Sequence, residues 1–288
     1  MSSVAAEPAS ARLTAREFEQ IRRLAREKFG LDLRNGKEQL VNARLGKKIR
    51  ELNFRSFQEY YRHVLEDSTG QALVAMIDAL TTNFTSFFRE PAHFDFLRTA
   101  VLPALANRNG MRIWCAASAT GEEPYSLAFC VLDAALPAGA RIEIVASDIS
   151  TRALTTAERA IYPRERFEGL DAALLRNYLL RGQGRWAEWY RMKPHVRRLV
   201  EFRRVNLIED FAFMGTFPVI FCRNVMIYFD KATQEDVVAR LAARLEPGGY
   251  LFIGHSESLT AIQHPLEYVR PAVYRKSNGG GPKQPARR

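Results

Sequence analysis

Cysteine is scarce in this chain: Cys115, Cys130 and Cys222 are the only three in 288 residues, and they lie far apart in apolar surroundings. No two have the spacing of zinc ligands, and the five histidines supply no partner set, so no metal is expected. Buried free thiols suit a reducing cytoplasm. Long apolar runs are missing too. No stretch approaches the roughly 20 uninterrupted apolar residues of a membrane span, so membrane insertion is not expected. The leading MSSVAAEPASAR has neither a basic n-region nor an apolar h-region, and secretion is not expected either. Acids fall short of bases, 32 against 42, for a net charge of +10. The imbalance concentrates between Ala11 and Arg55, where 13 Lys and Arg face 6 Asp and Glu, or +7. A field of that sign favours an acidic partner: nucleic acid, an anionic membrane surface or an acidic protein.

With 47% hydrophobic residues, the chain can bury one sizeable core, or a core and a small second domain. Residues 1–12 read as a flexible lead. From 13 to 80 the pattern is helical. Thr14 with Glu17 forms a capping box for a first helix. A second runs from about Gly36 to Leu52, with Val41, Leu45, Ile49 and Leu52 as its apolar stripe and Asn53 closing it. Ser56 caps a third through Glu66, and Gln71 to Leu80 forms a fourth. Lys37, Arg44, Lys47 and Lys48 fall within roughly 100° of arc on the second helix, as either a solvated face or a docking surface for an acidic helix. Residues 81–92 read as a linker between the two domains.

From 93 to 276 strands alternate with helices, which implies an α/β fold on a mostly parallel sheet. Strands are expected near Arg112–Ala116, Ile142–Ser147, Val200–Val205, Val219–Arg223 and Tyr250–Gly254, with a closing antiparallel pair near Tyr268 and Val273–Lys276. Glu246-Pro247-Gly248-Gly249 reads as a turn into the fifth strand. Between about 163 and 198 glycines and aromatics interrupt the alternation, pointing to an inserted small β sub-domain. The tail 277–288 lacks apolar residues and reads as disordered.

The segment from Met111 to Ser126, MRIWCAASATGEEPYS, followed by a strand ending on Asp148, reads as the first βαβ unit of a nucleoside-binding sheet. In such units an acid ending the second strand takes the ribose hydroxyls. For Asp148 the bland alternative is capping the helix that begins near Ser150-Thr151. The loop Ala116–Gly121 is neither G-x-G-x-x-G nor a lysine-bearing P-loop. Glu122 and Glu123 at the helix start disfavour a pyrophosphate and favour a ligand with a positive centre, such as S-adenosylmethionine (SAM). One of the two glutamates faces that centre, Glu122 being preferred; the other would favour the helix N-terminus. Asn83, Thr85 and Arg89, set among Phe84, Phe87 and Phe88, need polar partners. A ligand carboxylate could supply one for Arg89's planar fork; an interdomain hydrogen-bond network is the alternative.

The GEEPYS segment resembles the WxAAxSxGEEPYS signature of the CheR-type chemotaxis receptor methyltransferases. Three further segments match in the same order: Thr81-Thr82-Asn83-Phe84-Thr85-Ser86-Phe87-Phe88-Arg89-Glu90, Phe221-Cys222-Arg223-Asn224-Val225-Met226-Ile227-Tyr228-Phe229, and Gly254-His255-Ser256-Glu257. The resemblance runs from about Leu13 to Lys276. It implies a class I SAM-dependent methyltransferase, Rossmann-like, behind a small all-helical domain, with S-adenosylhomocysteine as product. The activity it implies is esterification of glutamate side chains on bacterial chemoreceptors, by a cytoplasmic monomer that takes no nucleic acid. It places Asn83, Thr85, Arg89, Asn206, Leu207, Arg223 and Asn224 with Glu122, Glu123 and Asp148 at the cofactor. Arg89, Tyr228 and Arg223 would serve catalysis by orienting the incoming carboxylate or shielding the sulfonium, and the basic residues of the second helix would meet the receptor's methylation region. In some relatives the insert grips a receptor-terminal pentapeptide through a loop with a glycine after GxG. Here the loop reads Gly182-Gln183-Gly184-Arg185-Trp186-Ala187-Glu188-Trp189-Tyr190, with Glu188 where that glycine is expected, which leaves that docking open.

A glutamate side chain is already an anion at neutral pH, so attack on a sulfonium methyl needs no general base. His255 is accordingly read as structural. Two other classes compete. A nucleic-acid methyltransferase suits the charge, but those that methylate amino groups carry Asn/Asp-Pro-Pro-aromatic after the fourth strand, where this chain has Arg223-Asn224-Val225-Met226. A non-catalytic SAM-sensing module is the other. A dehydrogenase fits the loop poorly.

Overall fold

A computed structural model describes residues 12–34, 36–81, 84–106, 110–134, 137 and 141–279. The lead to residue 11, Asn83 and residues 280–288 of the tail lie outside the described residues. The chain divides into two compact units, Met1–Asn83 with Tyr228–Asp230, and Phe84–Ile227 with Lys231–Arg288.

Among the described residues the first unit holds four helices: α1 (Ala15–Phe29), α2 (Glu38–Glu51), α3 (Phe57–Glu66) and α4 (Gln71–Leu80). The Thr14–Glu17 capping box forms in both directions, and Gly30 ends α1 in the left-handed conformation. Phe18, Ile21, Leu24, Ala25 and Phe29 recur at helical spacing and are buried. On α2 the stripe Val41, Leu45 and Ile49 is buried, whereas Leu52 is exposed because the helix has already ended at Glu51. Asn53, at φ 60°, makes the left-handed turn that follows. Ser56 caps α3 through the N–H of Glu59. A short second crossing of the chain completes this unit: Leu31 bridges Phe229, the Asp32 N–H donates to the Tyr228 carbonyl, and Arg26 pairs with Asp230 at 2.6 Å.

The second unit opens on α5 (Pro91–Phe96), a π-helical turn (Leu97–Val101) and α6 (Leu102–Leu105). Then come β1 (Met111–Cys115), α7 (Glu122–Asp133), β2 (Ile142–Asp148), α8 (Thr151–Arg159), β3 (Ile161–Pro163), α9 (Ala172–Tyr178), β4 (Leu179–Arg181), β5 (Trp189–Met192), α10 (Pro194–Arg197) and β6 (Val200–Arg204). The chain closes with β7 (Phe217–Phe221), α11 (Lys231–Arg244), β8 (Leu245–Phe252), β9 (Leu266–Arg270) and β10 (Val273–Lys276). The large sheet runs β6-β2-β1-β7-β8-β10-β9, and β10 runs against the direction of its other six strands. β1 and β7 are buried along almost all their length, as central strands covered on both faces must be. Phe221 stacks on Phe252 at 4.2 Å, and Trp114 donates to Ser147 at 2.9 Å inside the sheet.

The insert is a three-stranded antiparallel sheet, β3-β5-β4, beginning two residues before the expected boundary. One expectation is corrected. Glu246–Gly249 is not a turn ahead of the fifth strand but an irregularity within β8, with the register shifting against Phe217 and Val219. Gly248 takes φ 75°, and a Cβ on Gly249 would lie 2.9 Å from the carbonyls of Glu246 and Pro218, so the two glycines bend a strand that continues through them. The three cysteines are buried free thiols, their pKa pushed up by burial, for Cys130 to about 12.

Candidate functional site

β1 ends on a loop that its neighbours hold from both sides: Ala116 N–H donates to the Phe221 carbonyl and Ser118 N–H to that of Ser147. The loop closes through Gly121, at φ 98°, whose missing Cβ would stand 2.7 Å from both Ala157 Cβ and the Tyr162 hydroxyl. Only glycine meets both demands. Ala119 is left-handed at φ 44°, and its N–H points at Asp148. The signature's serine falls at Ala119; this chain's serine is one position earlier, and among the described residues the buried Ser118 hydroxyl has no hydrogen-bond partner.

Asp148 ends β2. Its Oδ2 accepts from Ala119 N–H at 2.8 Å and its Oδ1 from Ser150 N–H at 2.9 Å. The cap of α8 is Ser150, which accepts from Ala153 N–H, so Asp148 is not that cap. A carboxylate oxygen accepts more than one hydrogen bond, and Asp148 therefore stands oriented at the carboxyl edge of the sheet with capacity for hydroxyl donors.

The two glutamates opening α7 separate clearly. Glu123 is held by Arg223 Nη1 at 2.6 Å and by the Cys115 thiol at 3.1 Å. Glu122, 1% exposed, accepts from Thr120 Oγ1 at 2.6 Å and lies 3.5 Å from Arg166, whose side chain is partly exposed. Burial pushes the Glu122 carboxyl up, against the hydrogen bond from Thr120.

Arg223 follows β7 and is buried. Besides Glu123, its Nη2 meets Glu90 Oε2 at 2.8 Å and the Arg89 carbonyl at 2.6 Å. Burial alone would lower its pKa, but the charges of Glu123 and Glu90 more than compensate and raise it. Its terminal nitrogens thus face protein acceptors, which makes it a buried tie rather than a guanidinium presented to an incoming carboxylate. Glu90 Oε1 also accepts from Asn224 Nδ2 at 3.2 Å, and Glu90 Oε2 from His255 N–H at 3.1 Å. Burial pushes Glu90 up; the hydrogen bond and charge of Arg223 outweigh it and leave the carboxyl below its usual range. Glu257 accepts from the N–H groups of Gly254 at 2.6 Å, Asn224 at 2.9 Å and Ile227 at 3.3 Å.

Glu90, His93 and His255 bring ligand atoms within 4.8 Å of one another. The carboxylate there already serves Arg223, and a cation added to it would face that guanidinium across a contact distance, so the cluster is no metal seat.

The remaining expected residues scatter more. Thr85 is buried and its carbonyl accepts from Arg166 at 3.0 Å; Arg89 turns to the Phe84 carbonyl at 3.0 Å. Phe84 is 65% exposed rather than packed about them, while Phe87 stacks on Phe167 at 4.6 Å. Asn206, after β6, donates to Glu209 at 2.9 Å beside the buried Leu207. Tyr228 groups with the helical unit. On α2, Lys37 precedes the first turn and is exposed, Lys47 is exposed, and Lys48 is half-buried. Arg44 is turned back onto the last carbonyl of α4, Leu80, and so is no freely presented charge. The sequence reading left Glu90, Glu257 and Arg166 without roles. The first two had a signal, since each is the acid that ends a quoted motif; Arg166 lies in the irregular insert, where no periodicity marks it.

The profile of the CheR methyltransferase SAM-binding domain matches residues 83–274, and that of the CheR all-alpha domain matches 16–81. The chain belongs to the CheR methyltransferase family. It is similar to chemotaxis protein methyltransferase 2 of Pseudomonas aeruginosa, 42% identical over 91% of this chain and 93% of the relative. The chemotaxis protein methyltransferase of Borreliella burgdorferi is 35% identical, covering 92% and 95%. That of Salmonella typhimurium is 38% identical, covering 91% and 90%. This member of the CheR family is therefore a SAM-dependent methyltransferase of chemotaxis, with a class I sheet behind an all-helical domain. Among the described residues no helix is long and apolar enough to cross a membrane.

Proposed function

We propose that this chain methylates glutamate side chains in the cytoplasmic region of bacterial chemoreceptors, forming methyl esters, and that it acts as a cytoplasmic monomer. The observation that carries the proposal is that, among the described residues, the acids at the carboxyl edge of the sheet are already engaged, by backbone N–H groups, by Arg223 or by Thr120 and Arg166. An anionic nucleophile needs no general base. Bound SAM supplies an electrophilic methyl group on a sulfonium.

The residues present fit that cofactor. The small side chains of the Ala116–Gly121 loop let a ligand approach the backbone, Asp148 is oriented for ribose hydroxyls, and Glu122 is a buried acid suited to the methionyl ammonium. Asn206 and Leu207 would hold the adenine edge. Thr85 and Arg89 would meet the methionyl carboxylate, and Asn224 the reacting end. Glu123 and Arg223 act behind them as a buried pair. Catalysis then rests on alignment and on removing water from the carboxylate, and alignment of this kind can supply several kcal/mol. The exposed Lys37 and Lys47, with Lys48, offer α2 to an acidic receptor helix.

The test is transfer of labelled methyl from SAM to receptor fragments, followed by mild alkali. Label that joins the receptor and leaves as methanol in base is the expected result. Label stable to base would point to N-methylation, and SAM binding without transfer to any receptor would point to a sensing module.

A further inference from the structure

We propose that Glu90 and Glu257 form a two-carboxylate clamp that positions the Arg223–Asn224 turn for methyl transfer; this rests on that turn belonging to the transfer site, as proposed above. Asn224 holds φ 57°, a conformation that costs a non-glycine residue free energy and persists only where its surroundings impose it. Both its main chain and its side chain are held by acids: its N–H by Glu257 Oε2 at 2.9 Å, and its Nδ2 by Glu90 Oε1 at 3.2 Å. The two carboxylates come from distant parts of the chain and converge on one residue.

Each also ties that residue to a neighbour. Glu90 joins it to Arg223 and to the His255 N–H, and Glu257 joins it to Gly254 and Ile227. The fit is close, since a Cβ on Gly254 would fall 2.3 Å from Asn224 Nδ2. Among the described residues Glu257 makes no ion pair; its charge is met by backbone N–H groups, and burial pushes its carboxyl up against them. A half-buried charge without a counter-ion is costly as packing alone. Its effect is to fix the turn after β7, and a displacement of an aligned group by about 1 Å can cost on the order of a hundredfold in rate. Neither acid is assigned contact with a reacting atom; both are positioning residues.

Glu90→Gln and Glu257→Gln keep size and remove charge. Expected is a fall in kcat of about tenfold or more in each, with SAM Kd and receptor KM moving less than about threefold, which a general loss of folding would not produce. The double variant should be no slower than the slower single, because both acids act through one turn. Unchanged kcat in both singles, or losses that multiply in the double, would overturn the clamp. Asn224→Ala separates the two levels. If it transfers at the native rate, the site reading and the clamp both fall; if it is impaired while the glutamine variants are not, only the clamp falls. Should Glu90→Gln not fold, the cycle of Glu257→Gln with Asn224→Ala decides alone: non-additive losses support the clamp and additive ones reject it.

Discussion

Asp148 receives N–H groups from the loop after β1 and from its own turn, so it is pointed before any ligand arrives. Asp148→Asn keeps the shape but puts a donor against a donor and loses the charge. Calorimetry should show SAM affinity falling by roughly ten- to a hundredfold, the range of a lost hydrogen bond to a charged group. His93 gives a second residue-scale outcome. Burial first, and then the charges of Arg223, His255 and Arg270, lower its pKa from 6.5 to about 3, with Glu90 at 3.6 Å opposing. The unfolded chain therefore binds the extra proton through that window. The contribution of neutral His93 is complete above about pH 6.5 and is lost as pH falls toward 3. His93→Gln, which does not titrate, should lose about 1–2 kcal/mol less stability than the native chain between pH 6.5 and 5, measured by denaturant unfolding.

Helix α2 shows how an element divides a set of like charges. Its basic arc follows from spacing alone, yet Arg44 closes the C-terminus of α4 while Lys47 stands 75% exposed, only loosely paired with Glu51 at 3.9 Å. The two should behave differently on substitution. Arg44→Ala should lower stability by roughly 1 kcal/mol through the lost contact to Leu80. Lys47→Glu should leave stability within about 0.5 kcal/mol and weaken receptor binding several-fold. Thermal unfolding and receptor pull-down together check both. The capping box of α1 and the Ser56 cap of α3 were readable because capping depends on residues three apart in sequence.

For the whole molecule, a charge of +10 with its excess near the N-terminus implies steering toward an acidic partner. Raising ionic strength from about 0.1 to 1 M shortens the screening length from about 10 to 3 Å. Receptor affinity should then fall steeply, whereas SAM affinity, which the proposed site draws from the buried Glu122 and from Asp148, should change far less. Titrations of both ligands at the two salt concentrations separate these terms.

The sequence by itself determined the order of elements, the parallel α/β class, the four helices with the caps of the first and third, and the acids that open α7 and end β2. Each depends on periodicity or on spacings of a few residues. Only the tertiary structure decided how those acids are used. Glu122 and Glu123 are adjacent in the chain, but the rotation of α7 turns one toward Thr120 and the other toward Arg223, a hundred residues away. Glu257 meets Asn224 because the ends of β7 and β8 lie side by side in the sheet, and Glu90, 167 positions from Glu257 by number, joins them from the turn ahead of α5. Local pattern carries no information on such meetings, since they are fixed by which strands become neighbours.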